Sequence, residues 1–257
     1  MIAFLAFYRK EWMESLRRYR ALILFIVCTI FGIGSPLLAK LLPNLLSGYK
    51  INGLAVKIPK PTTIDAFSQF YKNFAQMGMI VLLLTFAGLL AQELTKGTLI
   101  IPLSKGLPRI TIILAKYAHA LSLWTLCYVT AAVVQCIYTQ YLFFKLPARH
   151  LLFSLFCLWL FGAFLLALLL FSSVWVKGSF GGLAMTGGCV AFLFIGQTVG
   201  RWRNGNPLSL VSEPVRIISG QTTINQMSSA IWWALIVIFF ALSGSIFLFV
   251  HKQLPEQ

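Results

Sequence analysis

Residues 151–176 read LLFSLFCLWLFGAFLLALLLFSSVWV and contain no charged side chain. An α-helix needs about 20 apolar residues to cross the roughly 30 Å hydrocarbon core of a bilayer. A segment in lipid must also satisfy its own backbone hydrogen bonds, which a helix does. This stretch therefore predicts a transmembrane helix.

The rest of the chain has the same character. Hydrophobic residues make up 59% of it and charged residues 11%, and the mean hydropathy is +0.84, values unlike those of soluble domains. The apolar blocks lack the alternation of barrel strands. The sequence predicts an all-α integral membrane protein with one transmembrane domain over residues 1–257. Its six spans are expected at residues 21–42, 76–94, 110–144, 151–176, 179–199 and 229–250.

The block at 110–144 is the longest of the six. As one helix it would measure roughly 52 Å at 1.5 Å per residue, more than a bilayer core requires. We therefore expect its first turns to project into water, so that Lys116 lies in a polar extension of the span and not in hydrocarbon.

The charge balance points to a lipid partner. The chain carries 21 Lys and Arg against six acidic residues, a net charge of +15, and such an excess in a membrane protein meets anionic headgroups. Nucleic acid is not an expected partner, because the basic residues are scattered over the loops and no soluble domain holds a groove. The five cysteines lie inside apolar blocks, without metal-ligand spacing, so no metal site is expected.

Residues 1–20 are predicted to form an interfacial elbow helix before the first span. Apolar side chains recur every four residues, at Phe4, Tyr8, Trp12 and Leu16, and charged side chains occupy the remaining faces. Arginines interrupt the apolar run, so we do not expect a cleaved signal. The helix could be an anchor alone, or could also contact a cytosolic partner. The candidate residues are Tyr8, Trp12, Glu14, Leu16 and Arg17.

The positive-inside rule does not decide the orientation, because the segments on the two sides of the membrane would carry similar numbers of Lys and Arg. We expect cytosolic termini, since five basic residues sit together just before the first span. Residues 43–75 would then form an outer loop. Residues 200–228 would form a second outer segment whose composition favours short helices at the membrane surface.

A short polar segment separates the second and third blocks. It reads QELTKGT at residues 92–98 and ends near Arg109. Lipid has no groups that such a polar segment would bind, so the segment suggests a binding site for a soluble partner. Exposed aliphatic residues at 99–101 and Leu103 would supply the apolar contact of such an interface. A plain connecting loop is the alternative.

The block at 179–199 is rich in glycine. Gly178 with Gly182, and Gly196 with Gly200, have the four-residue spacing that lets helix backbones approach closely. This pattern fits packing within one subunit. It fits equally a helix that meets its counterpart in a dimer or slides during gating.

The ordered set of these features resembles the type 2 ABC transporter permeases, specifically the small six-span exporters, over nearly the whole chain. The residues that carry the resemblance are YRKEWMESLR at 8–17, FGIGSPLLAK at 31–40 with Pro43, IPKPT at 58–62, QFYKN at 69–73, KGTL at 96–99 with Glu93, and LSKG at 103–106.

The resemblance implies two permease chains, alike or different, with separately encoded ATPase subunits docked on the cytosolic face of a prokaryotic plasma membrane. ATP and Mg would bind those partners. This chain has no G-x-x-x-x-G-K-[ST] loop, so it is not expected to be an enzyme. The link between spans two and three would hold a coupling helix. Its candidate residues are Glu93, Lys96, Gly97, Thr98, Leu99, Ser104, Lys105 and Arg109.

Other functions remain open on the sequence. A secondary transporter would need ionisable residues inside the spans, where only His119 qualifies. An intramembrane enzyme is disfavoured because His119, His150 and His251 are too scattered to form a site. An immunity or scaffold subunit would bind the ATPase without transport. The apolar walls favour hydrophobic or amphipathic cargo such as peptides, lipid-like molecules or drugs.

Overall fold

The structure is a computed structural model. It describes residues 2–47, 61–88, 90–95, 97–104, 106–144, 146, 150–176, 178–198, 205–221 and 224–251. Every regular element in these ranges is helical, and six helices are long and apolar enough to cross a membrane. The predicted all-α fold with six candidate spans is confirmed.

The chain begins with α1 (Ile2–Arg17) and α2 (Arg20–Ser47), followed by α3 (Thr63–Asn73), a π-helical turn (Phe74–Gly78) and α4 (Met79–Phe86). Two short helices, α5 (Ala91–Thr95) and α6 (Ile100–Ser104), precede the long α7 (Arg109–Phe143). The remaining elements are α8 (Leu151–Trp175), α9 (Ser179–Thr198), α10 (Ser209–Ser212), α11 (Pro214–Ile218) and α12 (Ile224–His251).

The second span begins earlier than predicted, at Thr63 instead of residue 76. The expectation that all of residues 43–75 form a loop was therefore wrong for α3. A capping box starts this helix, because the Thr62 N–H donates to Asp65 Oδ2 at 2.8 Å and the Thr62 side chain accepts from the Asp65 N–H. The aromatic side chains of α3 and the following turn, Phe67, Phe70, Tyr71 and Phe74, are buried against the bundle.

Helix α8 is the centre of the bundle. In its most apolar stretch 67% of the residues are buried, against 11% in α9 and 22% in α12. Trp124 of α7 packs beside it and donates a hydrogen bond to the Trp159 carbonyl at 3.1 Å. Gly162 of α8 leaves the space that the Trp124 ring fills. The core therefore lies between α7 and α8, while α9 and α12 are peripheral.

The segment after α9 contains the short helices that the sequence favoured, α10 and α11. They pack on α8, where Ser154 Oγ donates to the Pro214 carbonyl at 3.2 Å. Because consecutive spans alternate in direction, this segment and the link between α4 and α7 lie at opposite ends of the bundle. At the link end, Arg109 donates to the carbonyls of Phe249 and Val250, joining the start of α7 to the end of α12.

The contact between α2 and α7 generates a prediction at Gly32. A Cβ at this position would lie 2.8 Å from the Ala131 carbonyl oxygen, a backbone atom that cannot rotate away. We expect Gly32→Ala to lower the free energy of unfolding by roughly 1–3 kcal/mol through overpacking, measured by thermal denaturation in detergent.

Gly34→Ala is the matched control, because its Cβ would have no neighbour within 4 Å. It should leave stability unchanged or raise it by up to about 1 kcal/mol through better helix propensity. Equal effects of the two changes would contradict the inferred close contact.

Candidate functional site

Three of the six acidic residues of the chain meet at one point. Glu11 and Glu14 come from α1 and Glu93 comes from α5, and their carboxylate oxygens lie within 4.8 Å of one another. Like charges this close repel strongly unless cations separate them. Two lysines supply that compensation.

Lys116 of α7 is the buried cation of the cluster. Its side chain is 0% exposed, and its Nζ lies 2.9 Å from Glu11 Oε1 and 2.7 Å from Glu93 Oε2. Lys116 is thus enclosed by charged side chains of the protein and not by water, and its position in a polar extension of the span stays a prediction. Helix α1 covers this part of α7 and brings Glu11 to it, and an ammonium group can be buried at tolerable cost when it is paired in this way.

Lys10 completes the network from its outer side. Its Nζ lies 2.7 Å from Glu93 Oε1 and 3.1 Å from both Glu11 Oε1 and Glu14 Oε2. Arg18 pairs with Glu14 at 3.0 Å. The two lysines together bind carboxylates of α1 and α5, so the network ties α1, the link and α7 into one unit. We call Lys10, Glu11, Glu93 and Lys116 the charged clasp.

The electrostatics of the outer part of the network follow from these contacts. Burial lowers the pKa of Lys10, but its hydrogen bond to Glu93 and the charges of Glu11 and Glu93 outweigh burial and raise that pKa above its usual value. Burial raises the pKa of Glu14, but the hydrogen bond from Lys10 and the charges of Lys10 and Arg18 lower it below its usual value.

A cavity of about 460 Å³ lies beside the charged clasp. His119 of α7 is fully buried at its wall, and neither ring nitrogen has a hydrogen-bond partner among the described residues. The ring instead packs edge-on against Tyr8 and Trp12, with centroid distances of 6.3 and 5.3 Å. A polar-walled cavity of this size holds several water molecules. His119 therefore makes its described contacts through ring packing against aromatic side chains.

The predicted coupling link divides into an inward and an outward face. Glu93 is engaged in the charged clasp, and Arg109 bonds the end of α12, so both end charges have partners within this chain. Leu99 was expected to be an exposed aliphatic residue, but it is 1% exposed because it packs with Phe7 and Ile112. Thr98 and Ser104 are exposed.

Backbone geometry supports a turn in the same link, since Gly97 has a φ of 66°. Lys96 and Lys105 lie outside the described residues. A coupling helix in this link stays a prediction.

The elbow candidates lie on one helix, α1, and its interfacial position stays a prediction. The residues buried against the bundle are Phe7, Glu11 and Ser15, whereas Leu16 is 58% exposed and Arg17 is exposed. Tyr8 and Trp12 are half-buried, and Tyr8 donates to Ser122 Oγ at 2.9 Å. The four-residue apolar pattern did not identify this face, because a charged residue such as Glu11 is expected on the exposed side of the helix. The signal that could have found it is Lys116, a lysine within a long apolar block, which needs an acidic partner.

The glycine candidates have separate roles. Gly178 precedes α9 with a φ of 90° and shapes the turn after α8. At Gly182 a Cβ would lie 3.1 Å from Ser173 Oγ, so this glycine allows α9 to approach α8 within the chain. Gly196 lies near the end of α9, and Gly200 lies outside the described residues. Pairing of this helix with a second chain stays a prediction.

No family model, no curated protein and no solved structure matches this chain.

The charged clasp generates a stability prediction. Lys116→Met leaves buried carboxylates without their partner and should cost about 3–5 kcal/mol, measured as the free energy of unfolding in detergent. The double variant Lys116→Met, Glu93→Gln restores the charge balance and should recover much of that loss. Arg216→Met is the control, because the Arg216–Glu213 pair at 3.3 Å is exposed and should contribute under about 1 kcal/mol. A loss at Lys116 no larger than at Arg216 would contradict the buried pairing.

A second prediction concerns the stability of the fold at low pH. The pKa of Glu14 is lowered in the folded chain, so its ion pairs stabilise the fold above the unfolded pKa of about 4.3. This contribution is lost as the pH falls through the folded pKa. The raised pKa of Lys10 keeps its own contribution intact below about 10.4 and removes it only as pH rises through the folded value. The melting temperatures of the wild type and Glu14→Gln should therefore differ near neutral pH and converge in acid. A gap that persists unchanged well below about pH 4 would speak against the pairing.

Proposed function

We propose that this chain is the membrane subunit of an ABC exporter, moved by ATP hydrolysis on a separate polypeptide. The observation that carries the proposal is the charged clasp, which fastens the link between spans two and three to α1 and α7. A soluble partner that binds the link would therefore be connected to a transmembrane helix through short ion pairs.

The link between α4 and α7 exposes a surface that a soluble partner could bind. Thr98 and Ser104 are exposed on the link, while Glu93 at its base is held by Lys10 and Lys116. Lys116 belongs to α7, which runs from Arg109 to Phe143. A partner that holds the link differently in two nucleotide states would shift α7 with it, which is the differential contact that such coupling requires.

The division of labour follows from the sequence. No phosphate-binding loop of the form G-x-x-x-x-G-K-[ST] occurs in the chain, so ATP and Mg would be bound by the partner. The sparsely buried α9 and α12 offer apolar surface to a second permease chain, of the same or another sequence. In this proposal the termini and the link face the cytosol of a prokaryotic cell, and the cargo is hydrophobic or amphipathic.

A proton-coupled secondary transporter is the second candidate, because buried ionisable side chains are a feature of such proteins. Neither ring nitrogen of His119, at the wall of the charged cavity, has a hydrogen-bond partner among the residues that the structure describes. In this alternative the clasp and His119 would exchange protons, and no ATPase would be needed.

ATP hydrolysis and a proton gradient, the two energy sources in question, can be tested separately. The tagged chain, extracted from its native membranes in mild detergent, should co-purify Mg-ATP hydrolysis, measured as released phosphate. Ser104→Arg places a bulky charge on the exposed link and should reduce that activity at least several-fold. Gln221→Arg, exposed at the opposite end of the bundle, is the matched control and should leave the activity unchanged.

A second preparation, the chain purified without its partner, distinguishes the alternative. Vesicles containing the chain alone, loaded with an amphipathic fluorescent dye, should show no uphill movement under an imposed proton gradient. Dye accumulation without ATP would overturn the proposal in favour of the secondary transporter. Absence of ATPase activity from the wild-type preparation would also count against it.

A further inference from the structure

The charged cavity of about 460 Å³ extends past the clasp to polar side chains that form no part of it. Ser15, Arg18, Arg20 and His119 all line this cavity, and its volume is within the range of pockets that enclose small ligands. We infer that the cavity binds a phosphate group, carried by a phospholipid headgroup or by a soluble phosphoester. The inference goes beyond the proposed function, because it involves neither an ATPase nor transport.

Two buried polar side chains in the cavity wall lack partners. Ser15 is 4% exposed and His119 is 0% exposed. Neither Ser15 Oγ nor either ring nitrogen of His119 has a hydrogen-bond partner among the described residues. A buried polar group without a partner is destabilising, and each of these side chains carries a donor, the hydroxyl O–H and the imidazole N–H. A ligand with several acceptor oxygens would satisfy both.

The acceptors of the cavity are already in use. Five of the six carboxylate oxygens of Glu11, Glu14 and Glu93 lie within 3.1 Å of a lysine or arginine nitrogen of the chain. The three carboxylates are close enough to hold a metal ion, but an incoming cation would have to displace an ammonium group that already binds them. The cavity therefore offers a ligand donors and not acceptors, which favours an anion.

The charge balance favours an anion as well. Arg20 donates to the neutral Gln92 Oε1 at 3.3 Å and forms no ion pair with a carboxylate among the described residues. The three carboxylates face four cations, namely Lys10, Arg18, Arg20 and Lys116. One positive charge is therefore left over, and Arg20 is the cation without an acidic partner. A guanidinium group binds phosphate through paired N–H donors.

The arrangement of the donors favours phosphate over a carboxylate ligand. Ser15 belongs to α1, Arg20 begins α2 and His119 belongs to α7, so the donors come from three separate elements. A carboxylate presents two oxygens in one plane, whereas a tetrahedral phosphate presents three or four in different directions. Arg20 also begins the first candidate span, so in a bilayer the cavity lies near the boundary of the hydrocarbon core, where lipid phosphates lie.

The test measures binding by isothermal titration calorimetry on the full chain, purified in an uncharged maltoside detergent. The probes are inorganic phosphate, acetate and dihexanoylphosphatidic acid, a phospholipid short enough to dissolve as a monomer. We expect saturable binding of phosphatidic acid, of inorganic phosphate or of both, and binding of acetate at least several-fold weaker. Phosphatidic acid alone would identify a lipid headgroup as the ligand, and similar affinities for both probes would identify a soluble phosphoester. Saturable binding of neither probe, or acetate binding as tight as phosphate binding, would overturn the inference.

Two neighbouring arginines provide matched variants. Arg20→Gln removes the unpaired charge and should weaken phosphate binding by about tenfold or more, since a charge-assisted hydrogen bond is lost. Arg17→Gln removes the same charge from an exposed side chain that does not line the cavity, and it should leave the affinity unchanged. Equal losses in the two variants would mean general attraction of anions to a basic surface and would overturn the inference.

Ser15→Ala separates binding from folding. It removes a buried hydroxyl that has no partner among the described residues, so the melting temperature without ligand should stay the same or rise. Binding of phosphate should nevertheless weaken several-fold, and the rise in melting temperature that the bound probe causes in the wild type and in Arg17→Gln should shrink with it. An unchanged affinity in Ser15→Ala would contradict binding at this cavity wall.

Discussion

The buried ammonium group of Lys116 determines how the helices pack at one end of the bundle. That end carries the link between α4 and α7. A fully buried cation is tolerated only beside carboxylates, and Glu11 and Glu93 lie within 3 Å of it. One carboxylate comes from α1 and the other from α5. Both elements are therefore bound to α7, because the buried ammonium group of Lys116 must be neutralised by their carboxylates. The apolar cluster of Phe7, Leu99 and Ile112 then packs beneath the same contact.

This arrangement gives the two ends of the molecule different chemistry. At the end that carries the link, a charged cavity adjoins the clasp, and its wall combines carboxylates, cations and the His119 imidazole. Toward the other end, a larger cavity among α8, α9 and α12 has an apolar wall, and its one side-chain amide, that of Asn206, is already hydrogen-bonded. The proposed exporter needs a part that receives energy and a part that accommodates cargo. The charged cavity suits the first, and the apolar cavity is compatible with hydrophobic ligands.

The candidate site could be predicted only in part. Glu93 and the polar link were singled out because charged residues between two apolar blocks are conspicuous. The inward direction of Glu93 and the burial of Leu99 were not foreseen, because linear spacing does not say which element covers the link. Glu11 was missed since a helical face containing a carboxylate does not look apolar. Burial of α3 was hidden in the same way by Asp65 and Lys72, which lie outside the face that its aromatic residues form.

The sequence alone determined the fold class and the number of spans, because the bilayer imposes a minimum length of apolar helix that can be counted along the chain. It also determined where most spans begin and end, since charged residues and prolines mark those boundaries. The tertiary structure decided which charges meet. Ion pairs such as Lys116–Glu11, more than 100 residues apart, form only when packing brings distant helices together. For the same reason the two cavities, each lined by several elements, have no signature in the order of the residues.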